Sequence, residues 1–259
     1  MSLTPLPASI VVPTYREQPN VRPLTERLFA ALEPTARPVE LIFVDDDSQD
    51  GTEETVADLA RRYPVRLIVR KHQRGLSSAV LVGLAEAAHG LLVVLDADLQ
   101  HPPEMVPVLL DRLEKENCDF VLATRYAGGG GLDESWPWWR RLASRGAAWL
   151  ARPLVAVSDP MSGFFALRRC TLERAAPLDP VGYKIALELM VKSRCRCAAE
   201  VPIRFALRQG GTSKFGLRPQ LLYLAHLARL YRFRFGPAGP IAALVVLAVV
   251  VGITLSWLC

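Results

Sequence analysis

The 259-residue sequence holds no C-x-x-C pair, and its cysteines, Cys118, Cys170, Cys195, Cys197 and Cys259, are odd in number. A zinc centre built on paired thiolates and a disulfide framework are both disfavoured, and a reducing compartment is expected. Met1–Ala8 lacks a basic start leading into a long apolar core, so no secretory signal is read and the main domain is expected to stay cytosolic. There is no internal repeat, and Gly128–Gly131 is the one low-complexity patch, read as a loop. Charged residues are scarce at 22% against 51% hydrophobic, which excludes a disordered or collagen-like chain. Neither sign of charge dominates strongly. The formal charge of +5 suits an anionic partner such as a phosphate, a nucleic acid or a membrane surface, without choosing among them.

The length allows one large domain or two small ones. A mean hydropathy of +0.19 is high for a soluble globule and directs attention to the C-terminal end. Residues 241–259, IAALVVLAVVVGITLSWLC, carry no charge. As a helix they span roughly 28 Å, about the thickness of the hydrocarbon core. Trp257 lies where an interfacial aromatic belongs. Upstream, Pro219–Phe235 has helical spacing, with Leu221, Leu224, Ala228 and Tyr231 on one face and Arg218, His226, Arg229, Arg232 and Arg234 on the other. A basic amphipathic helix leading into an apolar span reads as a membrane-surface helix, with the arginine-bearing side cytoplasmic. The expected organisation is a catalytic domain over residues 1–216, a surface helix over 217–236 and a tail anchor over 237–259.

The first half alternates apolar runs with helical patterns. Ala8–Pro13, Val39–Val44, Val65–Val69, Gly90–Leu95 and Phe120–Ala123 read as buried strands, and Asn20–Leu32, Gly51–Tyr63, Leu76–His89 and Pro103–Lys115 as helices. Such alternation predicts an α/β fold, a mostly parallel sheet with helices on both faces, whose ligands bind at the carboxyl ends of the strands. The polar clusters fall at those ends.

Asp96-Ala97-Asp98 follows LLVVL, with Gln100 and His101 next. Two carboxylates and an amide at one strand end suit Mg²⁺ or Mn²⁺, which take oxygen ligands and share them with substrate phosphates. His101 is a candidate neighbour of that metal. After the second strand, Asp45-Asp46-Asp47-Ser48-Gln49-Asp50 crowds acids that need compensating donors. Ser48 or Asp50 is expected to cap the following helix, leaving Asp46 for a ligand. Pro13 ends the first strand, and Tyr15 and Glu17 offer a nucleotide an aromatic face and a carboxylate. Ser162-Gly163-Phe164-Phe165 reads as a turn under the site, with Asp159 a polar contact. Trp136, Trp138 and Trp139 precede a basic stretch and suit core packing or a lipid interface.

PTYRE, DDDSQDGT and DADLQHPPE, in this order and spacing, resemble the family 2 glycosyltransferases of the GT-A fold. GLSSAVLVGLAEA, ATRYAGGGGLDESWPWWRR, DPMSGFFAL, KIALELMVK, EVPIRF and GGTSKFG further resemble the dolichyl-phosphate mannose synthases, in the form with its own C-terminal anchor. The likeness runs from about Ser9 to Phe235. Arg16 stands where relatives often carry Asn. The resemblance implies a Rossmann-like GT-A domain that moves mannose from GDP-mannose to dolichyl phosphate at the endoplasmic reticulum membrane, its catalytic domain on the cytosolic face. It implies a nucleoside site at Pro13, Tyr15, Glu17, Val44 and Asp46, and a metal and diphosphate site at Asp96, Ala97, Asp98 and Gln100. It adds Arg125, Arg208 and Lys214 as binding positions.

On that reading the acceptor phosphate, with a second pKa near 6, is already mostly ionised at neutral pH. No dedicated general base is expected, and direct attack inverts the sugar carbon. Bringing two anions together asks for a metal and for cationic clamps. Arg125, Arg141, Ser144 and Arg145 are expected at the acceptor phosphate, with Arg208 and Lys214 closing over it or over the diphosphate. The same motifs would serve UDP-glucose or a bacterial polyprenyl acceptor, or a scaffold that only binds nucleotide. Nucleic acid is not an expected partner, since the charge excess is small and the basic residues cluster near the tail.

Overall fold

The computed structural model describes residues 4–128, 146–179, 184–204, 217–239 and 241. The five apolar runs become β1 (Ala8–Thr14), β2 (Val39–Asp45), β3 (Val65–Val69), β4 (Leu91–Val94) and β5 (Phe120–Thr124). Between them lie α1 (Gln18–Leu32), α2 (Thr52–Leu59), α3 (Leu76–Glu86) and α4 (Val106–Lys115). Each strand lies within a residue of its expected bounds, because a buried run between turn residues has one way to pair. Helix ends moved further. A 3-10 turn over Pro103–Met105 precedes α4, since proline has no N–H to carry a helical ladder past the first turn.

Beyond these come β6 (Phe165–Arg168), α5 (Arg169–Glu173), α6 (Ile185–Lys192), β7 (Ala198–Pro202) and α7 (Leu217–Phe235). The 7-stranded sheet has the order β3-β2-β1-β4-β6-β5-β7. β1, β2, β3 and β4 are parallel, as are β5 and β7, while β6 runs antiparallel between β4 and β5. Phe165 therefore opens a strand and is not part of the turn expected there.

Strand alternation divides the core. Ile10 and Val12 face α1, α2 and α4, while Val11 faces α3 and α6. α3 lies so close to the sheet that a Cβ at Gly83 would stand 2.3 Å from Val11 Cγ1 and 3.0 Å from Val44 Cγ2. Gly83→Ala is expected to cost about 1–3 kcal/mol by overpacking. A denaturation midpoint equal to that of the parent would contradict this close approach.

α7 corrects the face expected from its sequence. Tyr223, His226, Leu227, Leu230 and Tyr231 are buried. The hydrophobic ones among them pack with Ala151, Leu154, Leu187 and Val191. Leu221 and Leu224 are exposed, at 60% and 39%, and so is Ala228. The expected apolar face thus splits: Tyr231 anchors the helix to the globule, donating its hydroxyl to Leu150 O at 2.8 Å, and the others stay outward. His226 moves to the packed side, 4.0 Å from the buried Glu188 carboxylate. Among the described residues, His226 Nε2 and Glu188 Oε2 have no hydrogen-bond partner.

Burial holds the His226 pKa below the usual imidazole value, opposed by Glu188 and assisted by Arg229 and Lys192. The unfolded chain therefore takes up the proton first as pH falls below about 6.5, and stability is lost through that window. His226→Gln is expected to flatten the acid side of the Tm profile between about pH 7 and pH 5. An unchanged acid slope would show that other groups carry it. No helix among the described residues is long and apolar enough to cross a membrane, and residues 242–259 lie outside them.

Candidate active site

The carboxyl ends of β1, β2, β3, β4 and β5 bring their loops to one edge of the sheet, where open α/β sheets bind ligands. Several backbones there are held in the left-handed region without glycine: Arg16 (φ 59°), Asp47 (φ 56°), Gln49 (φ 52°) and Leu99 (φ 60°). Clustered outliers of this kind are typical of functional loops.

After β4, Asp96 and Asp98 are part-exposed and Ala97 is buried in the core. The Gln100 N–H donates to Asp98 Oδ1 at 3.1 Å, and the Asp96 N–H donates to His101 Nδ1 at 3.2 Å. His101 is 3% exposed, and burial lowers its pKa to about 4, so its Nδ1 remains an acceptor at neutral pH. Its ring lies against Phe164, centroids 5.4 Å apart. His101 thus braces the acidic turn from below, as a neighbour of the expected metal ligands. Gly163 completes the cradle, since a Cβ there would stand 3.1 Å from Asp96 Oδ2. Among the described residues no cluster of three or more His, Cys, Asp or Glu could hold a metal. The oxygen set of Asp96, Asp98 and the Gln100 amide fits a hard cation that draws its remaining ligands from substrate phosphates.

The second acidic turn organises itself. Asp45 accepts from Ser48 N–H at 2.8 Å and from Thr14 Oγ1 at 3.1 Å. Asp50 accepts from Thr52 N–H at 3.1 Å and Gln18 N–H at 3.2 Å, so it ties the starts of α1 and α2 together. Ser48 does not cap α2 and instead accepts from Arg16 N–H at 2.8 Å. Asp46 is gripped by a residue the motif reading did not single out. Arg70, at the end of β3, donates Nε to Asp46 Oδ1 at 2.8 Å, Nη1 to Ser78 Oγ at 2.9 Å and Nη2 to Gly75 O at 3.0 Å. The Gly75 N–H donates to the other Asp46 oxygen at 2.7 Å. Both side chains are buried, and their charges compensate each other. An arginine directly after an apolar strand run was the available signal.

Tyr15 stands at the crevice with Arg74 and Arg16 guanidinium carbons 5.2 and 5.3 Å from its ring centroid. Glu17 Oε2 accepts from Asn20 Nδ2 at 2.7 Å. Pro13 pairs with Val44 in the sheet, and both are buried, Val44 wholly so, with its carbonyl accepting from Thr14 Oγ1 at 3.3 Å.

Arg125 follows β5 and makes a two-pronged pair with Asp159, Nε at 2.7 Å and Nη2 at 2.9 Å. Asp159 is fully buried, which fixes the guanidinium in one orientation. Lys184, at the head of α6, lies in the same field. Burial first and Arg125 second lower its pKa to about 7, against the pull of Asp159 and Asp96. No local signal within KIALELMVK marks Lys184, because its charge environment depends on chain segments far apart in sequence. Arg141, Ser144, Arg145, Arg208 and Lys214 lie outside the described residues, as do Trp136, Trp138 and Trp139.

Residues 9–170 match Glycosyl transferase family 2. The dolichol-phosphate mannosyltransferase of Saccharomyces cerevisiae is 51% identical over 237 residues, covering 88% of each chain. That of Pyrococcus furiosus is 41% identical, over 87% of this chain and 64% of its own. Among solved structures, mannosyl-3-phosphoglycerate synthase from Rubrobacter xylanophilus superposes with a TM-score of 0.66 at 21% identity, over 88% of this chain and 74% of its own. Glucosyl-3-phosphoglycerate synthase from Mycobacterium tuberculosis gives 0.63 at 22% identity, over 89% of this chain and 80% of its own. These two likenesses speak for the fold. The chain belongs to glycosyl transferase family 2. Within that family it is a homologue of the dolichol-phosphate mannosyltransferases, and a glycosyltransferase.

Proposed function

We propose that this protein transfers mannose from GDP-mannose to dolichyl phosphate with inversion, releasing GDP and leaving dolichyl β-D-mannosyl phosphate. The observation that carries the reading is the 51% identity to a dolichol-phosphate mannosyltransferase over 88% of both chains. The arrangement of Asp46, Asp96, Asp98 and Arg125 around one sheet edge agrees with it. The nucleoside is assigned to this edge of the sheet by Tyr15, Glu17 and Asp46, with Pro13 and Val44 in the paired strand ends beneath it. Asp96, Asp98 and Gln100 would hold Mg²⁺ or Mn²⁺, with Ala97 as backbone beside the diphosphate. The mycobacterial glucosyl-3-phosphoglycerate synthase has been seen with Mn²⁺ and UDP. Such a cation supplies positive charge where the diphosphate leaves.

The acceptor phosphate needs no protein base, because it is already ionised. Its attack needs cations to offset two approaching anions, a role assigned to Arg125, Arg141 and Arg145, with the Ser144 hydroxyl assigned to the acceptor phosphate as a hydrogen-bond donor. Arg208 and Lys214 are assigned to the acceptor phosphate or to the leaving diphosphate, as further positive charge. The test is a donor panel with the purified full chain and a soluble isoprenoid phosphate. Mannosyl transfer from GDP-mannose, with much weaker use of UDP-glucose, is expected. Preference for a UDP-sugar would overturn the donor assignment, and no turnover with any donor or divalent metal would return the chain to a binding role.

We assign residues 1–216 to catalysis, 217–236 to a surface helix and the apolar run 237–259 to a membrane anchor, with the catalytic part on the cytosolic face of the endoplasmic reticulum. The outward Leu221 and Leu224, on the same helix as the exposed Arg232, suit a lipid interface. Deleting 237–259 is expected to release much of the protein from membranes. Transfer to a short soluble acceptor should continue, while transfer to a long-chain acceptor in a bilayer slows. Equal loss on both acceptors would mean that the tail supports the catalytic fold.

A further inference from the structure

Three cysteines gather at the end of the sheet opposite the crevice, where β5 and β7 begin. The strands are parallel, with Phe120 opposite Ala198. Just before them the Asp119 and Phe120 N–H groups both donate to Cys197 O, at 3.0 and 3.2 Å. The Cys197 N–H donates back to Asp119 Oδ2 at 3.4 Å. The register sets Asp119 opposite Cys197, so Cys118 is a diagonal neighbour of Cys197. With strands about 4.8 Å apart and about 3.3 Å per residue, that offset corresponds to a Cα separation of roughly 6 Å, inside the range of about 4.4–6.8 Å that a disulfide spans.

The two thiols also share a face. Cys118 packs with Val121 and Ala199 on the α4 side of the sheet, and Cys197 precedes Ala199 by one strand period. The Cys118 thiol donates to Glu116 O at 3.8 Å in the turn that leads into β5, and Cys197 is close enough to act on its proton affinity. Cys195 instead packs on the opposite side with Ala198 and donates its thiol to Cys197 O at 3.4 Å. Access differs sharply: Cys118 is 1% exposed, whereas Cys197 is open to solvent. Burial, with Cys197 beside it, pushes the Cys118 thiol up to about 12, so this sulfur stays protonated until its neighbour has reacted.

We propose that Cys118 and Cys197 form a redox modification site, converted by hydrogen peroxide to a reversible disulfide that ties β5 to β7. The exposed Cys197 thiolate attacks one peroxide oxygen, the O–O bond breaks, and the departing hydroxide takes a proton to become water. Cys197 is left as a sulfenic acid. The Cys118 sulfur then attacks the Cys197 sulfur, and the S–O bond breaks. The hydroxide leaves with the Cys118 proton as a second water. Together the two sulfurs give up two electrons, and the peroxide is reduced. The bond lies at the far end of β5 from Arg125, so it pins the edge strand without entering the crevice, and transfer activity is retained.

The full-length protein in detergent, treated with limiting hydrogen peroxide, is expected to lose two hydrogens by intact mass. Peptide mapping after alkylation should link Cys118 to Cys197. The linked form should melt at a higher temperature, and a thiol reductant should reverse both changes. Cys195→Ser should behave as the parent. Cys118→Ala and Cys197→Ser should lose the link and the rise in Tm. The exposed Cys197→Ser keeps the comparison decisive whatever Cys118→Ala does to folding. A Cys195–Cys197 link, a link between chains, or Cys197 oxidised onward while Cys118 stays alkylatable after unfolding would each overturn the proposal.

Discussion

Asp98→Asn is expected to lower kcat by on the order of 10²–10³ while the protein stays folded, because it removes one charge from a prearranged electrostatic site. The substitution keeps the shape of the side chain. Its amide oxygen still accepts from the Gln100 N–H, which the carboxylate engages at 3.1 Å, so the turn with its left-handed Leu99 should survive. Part-exposed residues of this kind change stability by only about ±0.5 kcal/mol. The measurements are Tm and turnover with Mg²⁺ and with Mn²⁺, plus donor binding at fixed metal. Near-parental kcat at saturating metal would remove Asp98 from the assigned centre. A collapse of Tm would instead make this turn a structural element.

Asp159→Asn should lower both stability and rate. Asp159 is wholly buried and takes both prongs of Arg125. Breaking a buried pair from one side typically costs about 3–5 kcal/mol, because the remaining charge is left uncompensated. Released from its carboxylate, Arg125 loses its fixed orientation, and misplacement by about an ångström is enough to cost roughly 100-fold in rate. Chemical denaturation gives the stability change, and kcat measured well below the new Tm gives the rate change. Lost stability with unchanged kcat would make Arg125 a structural partner only. The half-buried Lys184, in the same field, should respond to the lost carboxylate by losing proton affinity, since Asp159 is one of the groups that holds its proton on.

The strands and the acidic turns were legible because their signals are local. An alternation such as Ile10, Val11 and Val12 assigns neighbours to opposite faces whatever the rest of the chain does. The turn after β4 follows from a buried run meeting Asp96 and Asp98, with no distant residue needed. The helical face of α7 was misread for a related reason. Leu221, Leu224, Ala228 and Tyr231 do share one side of a helix, but that side is wide, and only packing against Leu187 and Val191 decided that Tyr231 turns inward.

Local pattern was enough for the order of β1 to β5 and α1 to α4, the turns at their strand ends and the carboxylates presented there, but not for β6, which opens at Phe165, or for β7. Which cation serves which carboxylate follows only from the folded arrangement. Arg70 meets Asp46 across 24 positions, and Arg125 meets Asp159 across 34. The second pairing depends on β6 entering antiparallel between β4 and β5, which carries the preceding 159–163 turn back beneath the crevice. Periodicity reports only on neighbours along the chain. Ion pairs between segments exist only once the sheet has closed the loops that separate them, and the free energy for that closure comes from burying the apolar strands.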